Sequence, residues 1–130
     1  MQLQSRVRIA FDTNMVLAIG QLKVDVFSEA RKMFGEKAEF LIPEQVAVEL
    51  QALAGKNLAL KKAAGIALEE IEAHKVKAEE VKAANADDAL VEMAQKGCFV
   101  ATNDAVLRKR IKDFGGKVIY LRQGHFLKTE

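Results

Sequence analysis

The stretch RIAFDTNMVLAIG, residues 8–20, changes character in its middle. Val7-Arg-Ile-Ala-Phe11 reads as a short β-rich run, and beyond Asp12-Thr-Asn14 the chain is apolar again, with helical patterns on either side of Gly20. Asp12 therefore stands where a strand gives way to a helix. It can serve merely as the cap of that helix, since Asp is a favoured N-cap. It can equally be the first carboxylate of an acidic site. The segments that the rest of the chain brings beside it decide between the two.

The same alternation recurs. The second helix carries Val24, Phe27, Ala30 and Phe34 on one stripe and stops at Gly35. Glu39-Phe-Leu-Ile42 makes a second strand, and Pro43 opens a helix where a missing N–H costs nothing. Val46, Leu50 and Leu53 are its buried stripe. A longer helix is expected from about Leu58 to Ala73, with Leu60, Ala64, Ala67, Leu68 and Ile71 inward, followed by a short edge strand around Val76. Asp87 to Ala94 reads as a helix with acids in its first turn, where the helix dipole favours them, and Gly97 ends it. Cys98 to Thr102 is a central strand, Asp104 to Phe114 a helix ended by Gly115-Gly116, and Lys117 to Leu121 the final strand. Gln123 to Glu130 carries no pattern. Strands alternating with helices predict an α/β fold: three layers, α/β/α, around a central parallel sheet of four to five strands. Residues 1–130 are expected to form one domain.

Composition excludes several classes. The hydrophobic fraction of 50% and charged fraction of 29% suit a globular chain. No apolar run approaches the ~20 residues of a membrane span, and Met1-Gln-Leu-Gln-Ser-Arg6 lacks a signal-peptide pattern. The lone Cys98 lies in an apolar run and is expected to be a buried thiol of a cytoplasmic protein. One cysteine and two distant histidines, His74 and His125, argue against structural zinc. No Gly-rich phosphate loop appears, which disfavours nucleotide hydrolysis and NAD chemistry.

Ligands of open α/β sheets bind in the crevice beyond the carboxyl ends of the strands. Asp12 and Asp104 follow strands at that edge, and Glu49 and Asp88 lie on helices that leave it. Two carboxylates about 5 Å apart repel by roughly 3 kcal/mol at an effective dielectric of 20, so a cluster must protonate, pair with a base or hold a cation. Matching bases are absent from those strand ends. An all-oxygen anionic set suits Mg²⁺ or Mn²⁺, which activate water and clamp a phosphodiester. Thr13, Asn14, Thr102 and Asn103 stand beside the acids and are expected to orient carboxylates or metal-bound water.

FDTNMVL, PEQVAVEL, ADDALVEMA and FVATNDAVLRKR, in that order from about Arg6 to Leu121, resemble the PIN-domain family of metal-dependent nucleases. The resemblance implies an endoribonuclease with Asp12, Glu49, Asp88 and Asp104 as catalytic residues on Mg²⁺ or Mn²⁺. Its pattern puts the third ligand just before the Ala-Leu-Val run, favouring Asp88 with Asp87 as helix cap; the reverse assignment stays open. The C-terminal stretch is similar to the ribosomal-RNA-processing branch, while the small size equally suits toxin ribonucleases of toxin–antitoxin pairs. A homodimer and an antitoxin or ribosome-assembly partner are implied.

Arg108, Lys109, Arg110 and Lys112 follow Asp104 by about a helical turn. They are either an ordinary solvated face or a patch that steers RNA to the acids. Among rival readings, a haloacid-dehalogenase-type phosphatase needs a second aspartate where Asn14 stands. A receiver domain carries its phosphoacceptor on a middle strand. A PIN-like RNA-binding or scaffolding module without cleavage is the principal non-enzymatic alternative.

Overall fold

A computed structural model describes residues 6–130. The first five residues, which belong to the N-terminal stretch without a signal-peptide pattern, lie outside the described residues. In chain order the elements are β1 (Val7–Phe11), α1 (Thr13–Leu22), α2 (Val26–Phe34), a 3₁₀ turn (Gly35–Lys37), β2 (Ala38–Pro43), α3 (Glu44–Ala54) and α4 (Leu58–Ala73). They continue with β3 (Lys77–Glu79), α5 (Ala86–Gln95), β4 (Phe99–Ala101), α6 (Ala105–Lys112), β5 (Lys117–Arg122) and β6 (Phe126–Thr129).

The sheet has six strands in the order β3-β2-β1-β4-β5-β6. The first five pair in parallel, and β6 closes the edge antiparallel to β5. From β1 the chain winds outward through β2 to β3, then returns to β4 on the other side of β1 and winds outward again. The order thus reverses between β1 and β4, which opens a crevice at their carboxyl ends.

Side-chain alternation along the strands builds the three layers. Ile9, Phe11, Phe40, Ile42, Ala101 and Ile119 face the cluster that α1 to α4 cover. Ala10, Leu41, Val100 and Val118 face the other way, onto Leu90 and Met93 of α5 and Leu107 and Ile111 of α6. Phe11 and Phe27 meet edge-on with ring centroids 4.7 Å apart, locking α2 onto β1. Cys98 is buried in the second cluster, as expected.

Two details depart from the sequence reading. The final tail is ordered as β6, reached through a turn in which Gln123 and Gly124 both have positive φ. Leu127 drops into the core opposite Leu121. The buried face of α4 is Ala63, Ala64 and Ala67, whereas Leu68, expected inward, is 39% exposed. Small residues win because α4 lies against α1 at close range. A Cβ on Gly20 would stand 2.8 Å from the Cα of Ala63. No helix among the described residues is long and apolar enough to cross a membrane.

Gly20 and Gly65 are both helical but differ in surroundings. A Cβ on Gly65 meets nothing within 4 Å. Gly20→Val should cost about 1–3 kcal/mol through overpacking, while Gly65→Ala should add roughly 0.5–1 kcal/mol by better helix propensity. Urea denaturation of both variants checks this; a Gly20→Val chain as stable as the wild type would contradict the close α1–α4 approach.

Candidate metal centre at the carboxyl edge of the sheet

Asp12 does cap α1. Its Oδ1 accepts the N–H of Met15 at 2.7 Å. That is only half of its role. Its other oxygen accepts the hydroxyl of Thr102 at the end of β4, and its own N–H donates to Ala101 O at 3.1 Å. The carboxylate is 7% exposed, so it is fixed between two strands with little water. Thr102 works in both directions, because its Oγ also accepts the N–H of Asp104 at 3.0 Å. Asp104 then caps α6 by accepting the N–H of Leu107 at 2.9 Å. One threonine therefore sets the spacing of the acids after β1 and β4.

Thr13 donates to Glu49 on α3, which brings the third acid in. The fourth comes from α5. Asn85, not Asp87, caps that helix, accepting the N–H of Asp88 at 2.8 Å. The expectation of an Asp87 cap is corrected: the asparagine two residues earlier has the extended backbone that a cap requires. Asp88 is directed at α6, where Arg110 Nη2 lies 3.0 Å from its Oδ1. Asp87 instead feels the negative charge of Asp104 and Glu49.

The electrostatics follow from this layout. Burial pushes the Asp12 carboxyl up to about 6, against the hydrogen bonds from Thr102 and Met15, with Asp87 and Asp104 adding repulsion. Asp87 is raised by desolvation first and then by Asp104 and Glu49, with Arg110 opposing. No Lys or Arg is ion-paired with Asp12, Glu49, Asp87 or Asp104 among the described residues. Oxygen-only donors of high negative charge fit a hard divalent cation.

Asn14 is exposed beside Asp12. Asn103 has a structural role. Its side chain donates to Leu121 O at 3.1 Å and accepts the Leu121 N–H at 2.7 Å, pinning the end of β5. The four basic residues of α6 all carry acidic partners. Arg108 and Lys112 pair with Glu130, Lys109 with Asp113 and Arg110 with Asp88. Arg108 also lies 4.5 Å from the Tyr120 ring centroid. The strip expected to steer RNA is thus charge-compensated.

Sequence reading missed Gln45, whose Nε2 donates to Val81 O at 2.7 Å and Ala83 O at 3.1 Å. It ties α3 to the segment that delivers α5. It also passed over Asp25, Glu70 and His74, which bring one ligand atom each within 4.8 Å of one another. His74 Nε2 lies 3.1 Å from Asp25 and 3.3 Å from Glu70, while its ring packs on Phe27 and Phe40. A cleft beside it is lined by Arg6, Ala38 and Lys77, at the start of strands. The group therefore belongs to the opposite edge of the sheet from Asp12. Burial alone would raise Asp25, but hydrogen bonds from Ser28 and His74 outweigh it and hold the carboxyl low. This is a tie between α2 and α4 in which the histidine Nε2 stands between the two acids. The i, i+4 spacing of Glu70 and His74 was its visible signal.

The PIN-like domain model matches residues 9–124. The chain belongs to the PIN-like domain family. Ribonuclease VapC9 of Archaeoglobus fulgidus is 36% identical over 125 residues, covering 92% of this chain and 87% of that protein. Among solved structures, the PIN domain endonuclease Utp24 superposes with a TM-score of 0.77 at 23% identity, covering 95% of this chain and 90% of that one. A domain of a functionally unknown protein from Methanocaldococcus jannaschii superposes with a TM-score of 0.63 at 19% identity, over 89% of this chain and 91% of that one. Both share the three-layer fold expected from the sequence.

The Asp12 carboxyl titrates near 6 when folded, against an ordinary value of 3.8. Between these values the folded PIN-like chain binds the extra proton, so stability falls as pH rises and the loss is complete above the folded value. The linkage is about 3 kcal/mol for this buried group. In chelator at about pH 7, Asp12→Asn should therefore match or exceed the wild type in stability, with the advantage shrinking towards about pH 4. Urea titrations at both pH values measure the gap; a variant equally destabilised at both would contradict burial as the cause.

Proposed function

We propose that this PIN-like chain is a divalent-metal-dependent endoribonuclease, with Asp12, Asp87, Asp104 and Glu49 as the groups that hold Mg²⁺ or Mn²⁺. One observation carries the reading: a buried carboxylate at the strand-order reversal, coupled to neighbouring acids and left without a base. The relative named as a ribonuclease supports RNA as the substrate. Asp88 was the third ligand expected from the resemblance. Its ion pair with Arg110 favours giving that role to Asp87.

A bound divalent ion supplies an activated water and neutralises charge on the scissile phosphate. The chain's own groups do the rest. Thr102 holds Asp12 and Asp104 in register, and Thr13 holds Glu49 against α1. The N-termini of α1, α5 and α6 accompany Asp12, Asp87 and Asp104, so three helix dipoles direct their positive ends at this edge. They favour an incoming phosphodiester as well as the carboxylates. Lys109 and Arg110 form exposed ion pairs worth about 0–1 kcal/mol each, whereas Arg108 and Lys112 share a half-buried Glu130. Exchange of the partners of Lys109 and Arg110 for RNA phosphates therefore costs little.

As a cytoplasmic enzyme, the protein would act as a toxin or as an RNA-processing factor. Its partner would be a second copy, an antitoxin or a ribosome-assembly component, and Leu58 and Ile66 on α4 offer exposed apolar contacts for it.

Cleavage of a labelled single-stranded RNA with and without Mn²⁺ tests the proposal. Asp12→Asn, Asp87→Asn and Asp104→Asn should each lose about 100-fold or more in rate. Asp88→Asn should lose less than about tenfold, as expected for a group outside the ligand set. Metal-independent cleavage, or an unchanged rate in Asp12→Asn, would favour the RNA-binding module instead. Thr102→Val keeps shape but removes the bridge between two acids. It should weaken Mn²⁺ affinity about 10–100-fold, read by metal titration of activity; unaltered affinity would show that the bridge does not position the ligands.

A further inference from the structure

A second concavity, about 320 Å³, opens directly beside the acids. Asn14 and Asp104 form its shared wall with the metal centre. Met15, Ala18 and Leu121 line it with buried apolar surface. Gln21 stands on the exposed end of α1, and Asn103 is immobilised by its paired hydrogen bonds to Leu121.

We propose that this cleft receives a single unpaired nucleobase of the RNA, next to the phosphodiester that is cut. The identity of the ligand as RNA rests on the nuclease reading; the chemistry of the cleft does not. No Lys or Arg lines it, and its one charged residue is Asp104. A phosphate therefore has no counter-charge there, whereas a neutral flat ring finds apolar walls. Asn14 and Gln21 make no side-chain hydrogen bond within the described residues. Each can donate and accept together, which is the pattern that carboxamides use on base edges. The volume sits at the lower end of the roughly 300–1,000 Å³ common for small-ligand pockets. It admits one nucleotide but not a base pair. Leu22, 54% exposed at the end of α1, offers an apolar face where aromatic stacking side chains are missing.

A base held in the cleft must leave its helix, so duplex RNA is excluded and an unpaired position beside the cut is required. The geometry also divides the work in two. The acids and the metal act on the phosphate, while α1 reads its neighbour.

The test uses the full chain with Asp12→Asn to suppress cleavage, in Mn²⁺, titrated with single-stranded oligoribonucleotides carrying 2-aminopurine. An abasic nucleotide is then moved along the same oligonucleotide. Expected is a saturable fluorescence change, about tenfold weaker binding when one particular position is abasic, and a similar loss in Gln21→Ala. Ala18→Leu, which fills the cleft from α1, should abolish that position dependence; Gln21 is exposed and its variant guards against misfolding of Ala18→Leu. If abasic and intact strands bind within twofold of each other at every position, or duplex binds as tightly as single strand, the cleft does not hold a base. Position-dependent binding without any metal-dependent cleavage by the wild type would sink the nuclease reading and leave the cleft standing. Cleavage indifferent to the abasic scan would do the reverse.

Discussion

The charge on Asp12 has nowhere to go. Its carboxylate is almost fully buried between the ends of β1 and β4, where desolvation of an ion is costly unless something positive compensates. The N–H of Met15, the hydroxyl of Thr102 and the dipole of α1 supply part of that compensation. They do not remove the strain, because the carboxyl is still displaced upward. An ordinary cap would sit in water and show no such displacement. The rest of the site follows from this one placement: the neighbouring helices add acids rather than bases, and each addition makes a hard cation more favourable at the same spot.

The scaffold makes that placement rigid. The helices that directly follow parallel strands, α1, α3 and α6, begin at the same sheet edge, and the reversal of strand order leaves room between α1 and α6. α1 is held from behind by its close approach to α4 at Gly20. Gln45 fixes the approach to α5, and Asn103 fixes the end of β5. These are backbone-directed hydrogen bonds, which hold position more firmly than the surface ion pairs on α6 can. Immobile groups therefore border the acids. The exchangeable ones lie further along α6, which carries Asp104 at its start and the bases in its later turns.

Most of the fold was legible because its signals are local. Apolar runs of strand length alternate with stripes of helical period, and glycines mark the helix ends at Gly35, Gly97 and Gly115. The crevice acids were legible because the topology rule needs only the order of elements. What escaped depended on tertiary contacts. The alanine face of α4 looks weaker than its leucines by hydrophobicity, yet the close α1 neighbour admits only small side chains. The last strand has one buried side chain, Leu127, too few for a readable alternation. Ion pairs such as those of Arg108 and Lys112 with Glu130 join residues about a helix and two strands apart, and nothing in local composition announces them.

Asp87 and Asp88 show where a one-dimensional pattern stops and helix geometry takes over. Successive helical residues point about 100° apart, so one of an adjacent pair can face the crevice only if the other turns away. Which one does so is set by the neighbour of α5, not by the pair. α6 packs beside α5 and offers Arg110 to whichever carboxylate faces it; that is Asp88. Asp87, on the remaining side, is left with Asp104 and Glu49 and is raised by them as well as by desolvation. Asp25, Glu70 and His74 behave in the opposite way. There one histidine nitrogen, Nε2 of His74, faces both acids, the ligand atoms draw within 4.8 Å, and Asp25 is held low. Close spacing there comes with a histidine placed between the acids, whereas a carboxyl raised by burial among like charges marks a charge that the protein has left for something else to satisfy.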